Sequence, residues 1–134
     1  MQSPTAFFNR TYDEAFSLLV EARDYIAHGQ SIERDFVDTN GQARMVLETT
    51  RLTARMTQIM AWLLARKAVF MGEITVEAAA QPPYTLGRNE VLAGDGPLQD
   101  ILPPGLESLM ERSQRLYIRV ARLDELVLRD SHPA

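Results

Sequence analysis

There is no cysteine among the 134 residues, which excludes disulfides, thiolate metal sites, a cysteine nucleophile and a thiol redox switch together. That absence fits a reducing cytoplasm. Histidine is almost as scarce, with only His28 and His132. Zinc sites need clusters of histidine or cysteine, and a di-iron bundle needs Glu-x-x-His pairs on two helices; neither pattern occurs. There is no glycine-rich phosphate loop and no serine elbow, and Gly94-Asp95-Gly96-Pro97 reads as a turn. Basic excess is missing too: the formal charge is -4, against what a nucleic-acid-binding domain usually carries. The longest apolar stretch, Ile59 to Met71, is broken by Arg66 and Lys67 and falls short of the roughly 20 residues that cross a bilayer. Met1 to Arg10 lacks the basic start and apolar run of a signal peptide. The expectation is a cytoplasmic protein with no catalytic residues, metal, cofactor or membrane segment.

An apolar share of 46% with 24% charged residues suits one globular domain over residues 1–134. Helical periodicity dominates, and nothing alternates with period two for long. Helix one is expected over about residues 4–28, opening at Ser3-Pro4 or at the capping box Thr11-x-x-Glu14 and stopping at Gly29. Phe8, Tyr12, Ala15, Phe16, Leu19, Ala22 and Ile26 share one face of it. Helix two is expected over about 42–71, with Gly72 as its left-handed terminator. Met45, Leu52, Met56, Ile59, Leu63 and Phe70 form its stripe, widened by Met60, Leu64 and Met71. Helix three follows Pro103-Pro104-Gly105 over about 104–129, with a seam of Leu106, Leu109, Ser113, Leu116, Val120, Leu123 and Val127. The connection, 73–102, holds at most a helical turn at Thr75 to Ala80, ended by Pro82-Pro83. The fold class is therefore all-α, an antiparallel three-helix bundle with a long loop between helices two and three.

Few side chains invite chemistry. His28 falls in the last turn of helix one, where a partly positive ring suits the helix dipole. Neighbouring acids such as Asp13-Glu14 point about 100° apart and cannot share a proton. Asp124 is different: it sits at the edge of the helix-three seam and needs a partner, such as an ion pair, that the sequence does not identify.

Two surfaces could bind. Arg112, Arg115, Arg119 and Arg122 share one flank of helix three, near Glu107, Glu111 and Glu125. Arginine outnumbers lysine 13 to 1, and its planar fork suits carboxylates at interfaces. On helix two, Trp62 and Val69 leave the apolar stripe and project with Arg44, Arg51, Arg55 and Arg66. A tryptophan there either packs under helix one or the loop, or anchors a dimer or partner. The partner-binding residues expected are Arg51, Arg55, Trp62, Arg66, Val69, Arg112, Arg115, Arg119 and Arg122.

The block Glu48-Thr49-Thr50-Arg51-Leu52-Thr53-Ala54-Arg55-Met56-Thr57-Gln58-Ile59-Met60-Ala61-Trp62-Leu63-Leu64, with Arg66-Lys67-Ala68-Val69 and Gly72-Glu73-Ile74, resembles the central helix of the RcdA family, regulators of CtrA degradation. Leu102-Pro103-Pro104-Gly105-Leu106 and Ser113-x-x-Leu116-Tyr117-x-Arg119-Val120-x-Arg122-Leu123-Asp124 resemble its last helix. The resemblance covers roughly half the chain. It implies a three-helix bundle, commonly a homodimer, that serves as a non-enzymatic adaptor for the ClpXP protease in turnover of cell-cycle regulators, tethering substrates to raise their effective concentration. Its partners would be the protease adaptor machinery, a response regulator or a substrate. The family's characterised adaptor has a flexible C-terminal tail, whereas here only Asp130 to Ala134 follow the last helix. The alternatives to direct delivery are binding a response regulator or second adaptor, or a loop 73–102 that replaces the tail. A different class of function, a small nucleic-acid-associated regulator, would use the arginine rows electrostatically, though acids interrupt both.

Overall fold

Capping chemistry sets where the helices begin and end. The chain is described by a computed structural model covering residues 4–81, 86 and 102–131, with side chains for 8–81, 86 and 102–127. Pro82-Pro83, the Gly94 to Pro97 turn, most of the long connection and His132 lie outside the described residues. All regular structure among the described residues is helical. It comprises α1 (Pro4–Asp24), a π-helical turn (Tyr25–Gly29), α2 (Gln30–Arg34), α3 (Thr39–Phe70), the short α4 (Val76–Ala79) and α5 (Pro104–Ser131).

The first helix does not stop at Gly29. Gly29 keeps right-handed angles (φ -78°, ψ -32°), and the helix passes through the π turn into α2. A Cβ at Gly29 would lie 2.9 Å from the Tyr25 ring, so glycine serves here as room for an aromatic ring within a helix. α3 starts earlier than its periodicity predicts, because the Asp38 carboxylate accepts from the Gly41 N–H at 2.7 Å. It ends as expected: Gly72 has φ +75°, and the Glu73 N–H reaches the Ala68 carbonyl at 2.8 Å. Thr75 caps α4, the helical turn anticipated in the connection.

Cross-helix contacts fix the direction of each rod. Phe8 meets Phe70 edge-on at 5.2 Å, Lys67 lies over the Tyr12 ring, and Gln30 donates to Thr49, so α1 and α3 run antiparallel. Arg112 pairs with Glu21 and Arg119 with Glu14, so α1 and α5 are antiparallel as well. Arg55 bonds Ser113 and Trp62 bonds Asp124, so α3 and α5 run parallel. The expectation of an antiparallel bundle therefore holds for α1 against each of the other two long helices and fails between α3 and α5. A short link would have forced antiparallel neighbours; residues 71–103 are enough for α5 to start at the end of the bundle where α3 starts.

That starting point is fixed by Glu33. Its carboxylate accepts from the Gly105 N–H at 2.8 Å and the Leu106 N–H at 3.2 Å, satisfying donors that a helix N-terminus leaves open. The Tyr25 hydroxyl donates to the same carboxylate at 2.8 Å. Burial and the adjacent Glu33 charge hold the Tyr25 phenol in its neutral form well above its ordinary titration range. A Cβ on Gly105 would approach the Glu33 oxygens to 2.9 and 3.0 Å, so a side chain there would displace the capping carboxylate.

The core joins Phe8, Ala15, Leu18 and Ala22 of α1, Met45, Leu52, Met56, Ile59 and Leu63 of α3, and Leu106, Leu109, Leu116, Tyr117 and Val120 of α5, with Leu86 from the connection. The α1 face is rotated from the one expected: Leu18 is buried, while Phe16 and Ile26 are exposed. Leu64, Phe70 and Met71 also remain largely in solvent.

Candidate partner-binding surfaces

The arginine row of α3 faces inward. Arg55 is 1% exposed, and its Nη1 donates to Ser113 Oγ at 2.7 Å and to the Met110 carbonyl at 3.0 Å. Ser113, a polar break in the α5 seam, is thereby explained as the acceptor for a buried guanidinium. Trp62 is 3% exposed and donates its indole N–H to Asp124 Oδ1 at 2.8 Å. Arg66 is buried with its Cζ 5.8 Å from the centre of the Trp62 ring. Burial lowers the Arg66 pKa, and the Asp124 carboxylate opposes that shift. Asp124 thus finds the partners that its position demanded, a tryptophan N–H and a nearby guanidinium.

These positions correct three expected docking groups. Arg55, Trp62 and Arg66 are core residues, because the side of α3 that carries them lies along α5 and not toward solvent. Trp62 is covered by α5, where helix one or the loop was expected. Arg51 is half-buried and pairs with Glu48 at 3.5 Å, and Glu48 also holds Arg44 at 3.2 Å. Val69 is half-buried.

The flank of α5 behaves differently. Arg112 makes a two-pronged pair with Glu21 at 2.7 and 2.8 Å. The hydrogen bond from Arg112 lowers the Glu21 pKa and correspondingly raises that of Arg112. Arg119 pairs with Glu14. Arg115 and Arg122 are exposed, and among the described residues neither has an acid partner. Of the four expected on this flank, two are neutralised and two are open. For a nucleic-acid reading this leaves little: the α3 row is sealed or paired, and half the α5 row is spent on α1.

The exposed side of α3 is a surface that the sequence reading missed. Between Met45 and Ala65 its exposed positions are Val46, Leu47, Thr50, Thr53, Thr57 and Leu64, with no charge among them. The hydroxyls of Thr50, Thr53 and Thr57 donate to the carbonyls four residues back at 2.9, 3.0 and 2.8 Å. The polar atoms are satisfied within the helix, so the face offers a partner mainly carbon. It borders a largely apolar groove between α1 and α3 lined by Leu19, Ala22, Ile26, Thr53, Met56 and Thr57. Threonine at three- and four-residue steps was the available signal, obscured because threonine counts as polar. His28 is exposed in the π turn, next to Ala27 at the end of this groove but not among its lining residues.

A model of the family described as "Protein of unknown function (DUF1465)" matches residues 2–134. Among solved structures, the crystal structure of RcdA from Caulobacter crescentus CB15 is similar, with a TM-score of 0.76 and 32% sequence identity, covering 90% of this chain and 89% of that one. No curated protein matches in sequence.

Proposed function

Since the chain belongs to the DUF1465 family and is RcdA-like along nearly its whole length, we propose that it is a non-enzymatic adaptor of regulated proteolysis, acting in the cytoplasm as a homodimer. In this reading it tethers a cell-cycle regulator to the ClpXP machinery, directly or through a response regulator or second adaptor, and so raises the local concentration of substrate at the unfoldase. The observation that carries the proposal is the uncharged outer face of α3, from Val46 to Leu64, on a protein of which 24% is charged. Monomeric proteins seldom leave such a continuous face to water, and a second copy can cover it about a twofold axis without opposing like charges. Among the described residues no helix is long and apolar enough to cross a membrane.

The test is capture of the tagged chain from its own cells. Enrichment of ClpX, a response regulator or a degradation substrate supports the reading, and capture of none of them ends it. Light scattering on the purified chain reads the dimer separately. Thr53→Arg puts a charge in the middle of the α3 face and is expected to give a folded monomer; an unchanged dimer would move the interface elsewhere.

A further inference from the structure

The two ion pairs between α1 and α5 follow one antiparallel register, Glu21 with Arg112 and Glu14 with Arg119. In that register Arg115 falls opposite Ser17 and Leu18, so the middle rung has a guanidinium and no acid. The rung is not filled. Arg115, Ser17 and the two ion pairs line an open cleft whose floor is Leu18 and Leu116, which are 5% and 1% exposed. Glu111, one turn before Arg115, makes no ion pair with it.

We propose that this cleft takes a single carboxylate, the side chain of a glutamate or aspartate on a partner protein, held by Arg115 above the packed Leu18 and Leu116. The arrangement selects for charge and shape. Arg115 offers a planar fork that matches a carboxylate, and the low floor excludes water from one side of the pair. Glu14 and Glu21 stand on either side and are already committed to Arg119 and Arg112. Their negative charge tolerates one incoming negative charge on Arg115 and disfavours a doubly charged phosphate. The incoming acid completes the ladder that α1 leaves unfinished. The adaptor reading enters only in taking the occupant to be a protein.

The probe is acetyl-Leu-Glu-Leu-amide, titrated into the intact chain while the arginine Nε and leucine methyl signals are followed by NMR. The expected result is a saturable shift at Arg115, Leu18 and Leu116, with Arg112 and Arg119 nearly still. The glutamine counterpart and the Arg115→Gln chain should each bind roughly tenfold more weakly or worse, the loss of a charged hydrogen-bonded pair. Unmoved Arg112 and Arg119 signals in the Arg115→Gln chain establish that the cleft itself is intact. Equal response to the glutamate and glutamine peptides overturns the proposal, as does a response centred on Arg112 or Arg119, or tighter binding of a phosphoserine counterpart. A chain that captures its partners from cells yet ignores the glutamate peptide refutes the cleft alone; one that binds the peptide yet captures nothing refutes the adaptor alone.

Discussion

On one side of α5, Arg55 and Arg66 of α3 are sealed against Ser113, the Met110 carbonyl and the Trp62 ring; on the other, Arg112 and Arg119 reach through solvent to Glu21 and Glu14. Both rows are arginines at helical spacing beside the same helix. Their physical roles differ because burial decides what a guanidinium is worth. Arg55 is held by hydrogen bonds that its removal would cost, and Arg66 lies over the Trp62 ring near Asp124. A surface pair trades protein contacts for water at little net gain. The buried row specifies how α3 and α5 lie against each other, while the pairs of the open row compete with water and salt.

The comparison breaks most visibly at Arg55. Arg55→Ala empties a fully buried site and removes the charged donor to the Ser113 hydroxyl and the Met110 carbonyl, the carbonyl keeping its bond from Ser113 at 3.1 Å. The expected loss is about 3 kcal/mol or more, from the cavity and the lost charge-assisted hydrogen bonds together. Urea denaturation measures it. A loss below that of a surface ion pair would mean that the α3 row is not structural and that the two rows are alike.

How much of this was readable from residues alone follows the same division. The helices and most of the apolar stripes could be read because burial repeats at the helical period: Leu52, Met56, Ile59 and Leu63 fall where periodicity puts them. Asp124 announced its need for a partner by its place at the seam. Trp62 and Arg55 were misplaced because periodicity groups residues that share a face but does not say whether that face meets solvent or a third helix. The parallel course of α3 and α5 was hidden by a connection too long to dictate direction. Glu33 was unreadable for another reason: it caps a helix 72 residues away, and a cap motif is legible only when cap and helix are adjacent. Family likeness reached the RcdA fold through the α3 and α5 blocks, and it was silent on which arginines are open.

Glu33 sharpens the comparison, because it is an acid that joins helices through backbone donors and not through arginine. Gly105→Ala would bring a methyl group to 2.9 Å from one carboxylate oxygen, forcing the Glu33 side chain away from the Gly105 and Leu106 N–H groups. A cost of about 1–2 kcal/mol is expected, the scale of a lost helix cap. It should be read in the denaturation midpoint with the far-ultraviolet dichroism of the folded chain unchanged. A neutral or stabilising result would show that the cap shifts freely and does not register α5 on α2.

The smallest effect belongs to the open row, and its pH dependence is the most selective test. Arg112→Gln removes a pair whose two side chains are 38% and 53% exposed, so the loss at neutral pH should be roughly 0.2–1 kcal/mol. Arg112 holds the Glu21 pKa below its ordinary value of 4.5. A depressed carboxylate pKa stabilises the folded state above the unfolded value, and that contribution fades as pH falls below about 4.5 and through the folded pKa. The stability curves of the parent and Arg112→Gln chains should therefore run apart at neutral pH and converge under acid. Added salt should narrow the gap in the same direction, since the pair is open to screening. If the Arg112 gap persisted into acid and high salt, this flank would be held by packing as the α3 side is, and the two rows would not differ in kind.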